Sequence, residues 1–149
     1  MTTSTRAIDV IELIAERAVR AVYQPVVELE TRTIVGWEAL ARGPAGSELE
    51  TPEALFAAAA EAHATSELDR VCRAVAVDGV VPAHLGDRLL FVNVEPLALD
   101  GREPFDDAVQ RKADRLSLVA ELFLNDIKGI DAPSLDGCVR CRRGLTNGG

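Results

Sequence analysis

The chain has 149 residues, 48% of them apolar, and a net charge of -8, which allows one domain with a core and excludes a disordered polymer. The acid excess also excludes a nucleic-acid backbone or an anionic membrane as main partner, because either repels the molecule over much of its surface. Cys72, Cys138 and Cys141 are too few for a disulfide framework. No apolar run reaches bilayer length and the N-terminus lacks a secretory pattern, so the expected location is the cytoplasm.

Apolar residues Ile8, Ile11, Ile14, Ala15 and Val19 recur at spacings of three and four, which predicts an amphipathic helix over Ile8–Val22. Val22–Leu29 and Thr33–Leu40 predict strands joined by the polar turn Glu30-Thr31-Arg32. The second strand carries Glu38 in apolar company. A carboxylate buried there unpaired costs on the order of several kcal/mol, so a metal, a base or an active-site opening is expected beside it.

Gly43–Glu50 reads as a loop, after which Thr51 caps a helix with Pro52 in its first turn and Ala54–Ala64 as its body. A second helix runs from about Ser66 to Gly79. Leu68, Val71, Cys72 and Val75 recur in it at helical spacing, which makes Cys72 a small core hydrophobe. Arg88–Val94 predicts a buried strand, Asp100–Pro104 a turn-rich insertion, Asp106–Arg115 a short polar helix and Leu116–Leu124 another apolar strand. Beyond Asn125 the scattered Gly, Asp and Arg follow no period, and residues 125–149 are expected to be poorly ordered.

Tyr23-Gln24-Pro25-Val26-Val27 and Gly36-Trp37-Glu38-Ala39-Leu40-Ala41-Arg42 resemble the opening of the EAL-domain family of cyclic di-GMP phosphodiesterases. Leu68-Asp69-Arg70 and Val92-Asn93-Val94-Glu95-Pro96 resemble that family's Leu-Asp-Arg helix and Val-Asn strand end, in the same order. The resemblance implies an α/β fold, a partial (β/α) barrel over residues 6–124 that ends after about half the strands, because a full barrel takes about 250 residues. Residues 125–149 match nothing in the family.

The resemblance further implies a site at the C-terminal ends of the strands that holds Mg2+ or Mn2+ against a phosphodiester of cyclic di-GMP. It carries Glu38, Asn93 and Glu121 over as metal ligands and Gln24 and Arg42 as contacts to the bound dinucleotide. Asp69 matches an acid with a structural role. Glu121, 28 residues after Asn93, stands where the family has Glu-(Ile/Leu)-Thr-Glu, but Leu122-Phe123-Leu124 follow it here. The family's paired Asp, its Lys and its later Glu and Gln have no counterpart, so weak or absent hydrolysis by the chain alone is expected. Alternatives are a non-catalytic module that binds cyclic di-GMP or a protein, a barrel completed by a partner, EAL-type or other, and a decayed remnant.

Read alone, Glu38 is a strand acid paired with Arg42, Asn93 a turn-former, and Arg42 solvated surface. His63 and His84 lack neighbours at ligand spacing and read as surface residues. Cys138 and Cys141 have CxxC spacing but no further ligands nearby, and read as an accidental pair in the tail.

Overall fold

A computed structural model describes residues 9–80, 82–95 and 107–122. Its first helix, α1 (Val10–Ala15), is far shorter than the periodicity predicts. Asp9 caps it by accepting the Ile11 N–H at 2.9 Å. The end is a Schellman cap: Arg17 turns left-handed at φ 52, its N–H bonds the Ile14 carbonyl and the Ala18 N–H returns to that of Leu13. Non-glycine residues seldom take that conformation, and the cap therefore leaves no glycine in the sequence. The predicted extension to Val22 is overridden by pairing with the next strand.

That strand, β1 (Arg20–Glu28), forms an antiparallel hairpin with β2 (Thr33–Arg42), in register from Arg20 opposite Arg42 to Glu28 opposite Thr33. A bulge between Val26 and Val27 takes up one residue. Pro25 donates no N–H and lies on β1, which is an edge of the described sheet.

Thr51 caps α2 (Pro52–Glu61), accepting the Ala54 N–H at 3.3 Å, with Pro52 in the first turn as predicted. The helix closes on a second non-glycine cap, with His63 left-handed at φ 54. There follow α3 (Thr65–Asp78), α4 (Pro82–Leu85), β3 (Leu89–Val94), α5 (Asp107–Ala113) and β4 (Ser117–Leu122). The sheet order is β1-β2-β3-β4, and β2, β3 and β4 run parallel across the helical connections. This is the α/β alternation expected of a parallel sheet.

The helix α3 organises the core. Leu68 joins Val10, Leu13, Leu55 and Ala59 in a cluster among α1, α2 and α3, while Ala76 packs on Ala39, Leu90 and Val92 of the sheet. Ala74 and Val77 meet Val109 and Ala113 of α5. Tyr23 ties β1 to the same helix by donating its hydroxyl to the Ala76 carbonyl at 2.8 Å.

Cys72 packs beside the first of these clusters, as the helical spacing predicts, and burial pushes its thiol up to about 12 from 9.0. A thiol so raised stays protonated and unreactive near neutrality. Native chain treated with iodoacetamide at pH 8 is expected to leave Cys72 unmodified by mass spectrometry, and denatured chain to alkylate it. The same shift holds the native state stable up to the ordinary thiol range and weakens it between about pH 9 and 12.

The turn-rich insertion, the tail, Cys138 and Cys141 lie outside the described residues.

Candidate functional site

Alternation along the strands decides which residues meet. In β2, Trp37 and Ala39 turn toward the helices, so Gly36, Glu38, Leu40 and Arg42 occupy the opposite face. Register extends that face across the sheet. Gln24 of β1 stands opposite Glu38, Phe91 of β3 lies beside Glu38, and Asn93 follows two residues on. Glu121 of β4 is the register partner of Asn93. Gln24, Glu38, Arg42 and Asn93 thus share one sheet face, and Glu121 stands at the backbone level of Asn93 on β4.

Two of them touch. Asn93 donates Nδ2–H to Glu38 Oε1 at 3.0 Å. Only the nitrogen of the amide can donate to a carboxylate, so this bond sets the amide's orientation and leaves Oδ1 as its acceptor. Asn93 Oδ1 is buried and lacks a hydrogen-bond partner. A buried amide oxygen without a donor is rare enough to require a cause, and a role as a cation ligand is one. Glu38 is partly rather than fully buried, and it takes Asn93 as its partner instead of Arg42. Arg42 stands four residues further along the strand, roughly 13 Å away at about 3.3 Å per residue. Its guanidinium donates to the Ala41 carbonyl at 2.7 Å. Gln24 is exposed.

A cavity of about 360 Å³ opens at this end of the sheet, with Glu38, Glu53, Asp69, Arg73, Asn93 and Glu95 in its lining. Those side chains comprise four carboxylates and one guanidinium, so the cavity attracts cations and repels a bare phosphate. Glu38 and Asn93 supply hard oxygen donors of the type that magnesium, manganese and calcium take. Two adjacent oxygens, one of them unsatisfied, fit a divalent cation. Among the described residues no group of three His, Cys, Asp or Glu forms a metal site.

The sequence reading missed Arg73. It is buried at 2% exposure, as is Asp69, and its Nε lies 2.8 Å from Asp69 Oδ2. The two buried charges form an ion pair one helical turn apart. The signal was the i, i+4 spacing of Asp69 and Arg73, which reads equally well as a solvated surface pair. Burial pushes the Asp69 carboxyl up, against the lowering effect of Arg73 and of the Glu95 N–H. His84 is exposed, as expected, and so is His63, although its left-handed cap was unforeseen.

A family model described as EAL domain matches residues 9–127. Among solved structures, Klebsiella pneumoniae BlrP1 in a calcium and cyclic diGMP complex is 28% identical, with a TM-score of 0.52 over 70% of this chain and 27% of that one. Its manganese and cyclic diGMP complex at pH 6 gives the same four values. The Xanthomonas citri FimX EAL domain in complex with c-diGMP is 21% identical, with a TM-score of 0.56 over 76% of this chain and 47% of that one, a likeness of fold alone. This chain therefore spans between about a quarter and a half of the proteins it resembles. No curated protein matches it. Among the described residues no helix is long and apolar enough to cross a membrane.

Proposed function

The chain belongs to the EAL domain family, and from that premise we propose that it carries the cation-binding part of a cyclic di-GMP phosphodiesterase site. The observation that supports this is the buried, unpartnered Oδ1 of Asn93 beside the Glu38 carboxylate. Glu38 and Asn93 hold Mg2+ or Mn2+ through oxygen, and Glu121, on the neighbouring strand in register with Asn93, is the third ligand. A bound divalent cation supplies a Lewis acid that neutralises phosphate charge and lowers the pKa of a coordinated water. Gln24 and Arg42, on the same face, contact the dinucleotide, Arg42 as a guanidinium suited to phosphate oxygens.

Binding needs fewer groups than turnover. Hydrolysis by two metals requires both the attacking and the leaving oxygen to be held, and the sequence offers no counterpart to the family's paired Asp or Lys. The chain alone therefore binds cyclic di-GMP in a metal-dependent way and hydrolyses it weakly or not at all. The location that fits this ligand is the cytoplasm.

Calorimetric titration with cyclic di-GMP, with and without Mn2+, tests this reading beside Glu38→Ala. Saturable binding that requires Mn2+ and disappears in Glu38→Ala is the expected result. Binding that ignores both the metal and the substitution would leave a dinucleotide surface without a cation site. Hydrolysis above the metal-free control would show that the chain needs no further groups for turnover.

A further inference from the structure

The α3 helix reaches the candidate site through one side chain. Beyond Val94 at the end of β3 the backbone leaves the ladder, and the Glu95 N–H needs a partner off the sheet. Asp69 supplies it: its Oδ1 accepts the Glu95 N–H at 3.0 Å, while Oδ2 faces the Arg73 guanidinium one helical turn away. Both side chains of the ion pair are buried and fixed in the most thoroughly packed helix of the described chain. The outcome is a continuous connection. Arg73 sets Asp69, Asp69 sets the backbone at Glu95, and two residues back from Glu95 the Asn93 amide reaches Glu38.

We propose that Asp69 is a positioning residue for Asn93: by tethering the Glu95 backbone to α3, it fixes the strand end that presents Asn93 Oδ1 beside the Glu38 carboxylate. The inference rests on reading Glu38 and Asn93 as oxygen donors to one cation. Oxygen ligands of magnesium sit at about 2.0–2.1 Å in a near-ideal octahedron, so a small displacement of the strand end weakens binding. Partners that orient metal ligands contribute about 10–100-fold in affinity.

Two variants separate this role from general stability. Asp69→Asn retains an acceptor for the Glu95 N–H. The double variant Asp69→Leu/Arg73→Met removes that acceptor together with both buried charges, so that neither is left unpaired. Mn2+ affinity is read by electron paramagnetic resonance, and the Asn93 side-chain amide by nitrogen-15 NMR, assigned through Asn93→Ser. In folded Asp69→Asn the Asn93 resonances are expected to stay at their wild-type positions, and Mn2+ binding to weaken far less than in the double variant. The double variant is expected to melt cooperatively, to shift the Asn93 side-chain resonances, and to bind Mn2+ about 10–100-fold more weakly.

A folded double variant whose Asn93 resonances stay in place overturns the proposal. So does rapid hydrogen exchange of the Glu95 amide in the wild type, a measurement that needs no variant to fold. Mn2+ binding in the wild type no tighter than in Glu38→Ala overturns the cation site instead, while the NMR readouts still decide whether Asp69 positions Asn93.

Discussion

Arg73→Met is expected to lower the free energy of unfolding at neutral pH by about 3–5 kcal/mol, the usual cost of removing one partner from a buried ion pair. The size follows from burial, since Arg73 and Asp69 are each 2% exposed and the remaining carboxylate has no access to water. Burial already pushes the Asp69 carboxyl up while Arg73 holds it down, and removing the guanidinium leaves the upward push less opposed. The pH dependence has a defined sign. A carboxyl whose folded pKa lies above its unfolded value of 3.8 contributes stability that is present below that value and lost as pH rises through the folded pKa. The deficit of Arg73→Met is therefore largest near neutrality and shrinks on acidification. Urea unfolding followed by the fluorescence of Trp37, the chain's one tryptophan, measures both effects. A loss under about 1 kcal/mol would place the pair among solvated surface bridges.

Gly43→Ala is expected to be destabilising to a lesser degree at the other edge of the site. Gly43 follows the last residue of β2, donates its N–H to the Glu50 carbonyl at 3.1 Å, and accepts Arg20 Nε–H at 3.1 Å. A methyl group at Gly43 would lie well inside van der Waals contact with the Leu49 carbonyl. Backbone meets backbone there, and neither can rotate away as a flexible side chain would. Overpacking of this kind costs about 1–3 kcal/mol and occasionally more. Relief requires the 43–50 loop to move, and with it Arg42 at the strand end. Gly43→Ala should therefore lower the melting temperature and also weaken the proposed metal-dependent binding of cyclic di-GMP. A variant that melts with the wild type would show that the loop yields freely.

Much of this arrangement was legible in the residues. Val, Ile and Trp mark β2, Thr51 and Pro52 mark the start of α2, and alternation puts Glu38 and Arg42 on one strand face whatever the strand pairs with. The common level of Asn93 and Glu121 was less accessible, because parallel register is set by the packing of an intervening helix and not by any local signal. The boundary of α1 was misread for a related reason. Its apolar spacing continues to Val19, but Arg17 supplies a left-handed cap of the kind usually betrayed by glycine. Asp69 and Arg73 showed their spacing but not their burial, which depends on where α3 lies against the strand ends.

The antiparallel pairing of β1 with β2 gives this sheet an uneven assembly order. A hairpin across a tight turn closes within about 1–10 μs, whereas Glu38 and Asn93 are 55 positions apart in the chain. During synthesis at about 5–20 residues per second, Asn93 follows Glu38 out of the ribosome by roughly 3–11 s. For that interval Glu38 lacks the β3 strand that carries its partner, and the Glu38–Asn93 contact of the candidate site forms only after β3 has emerged.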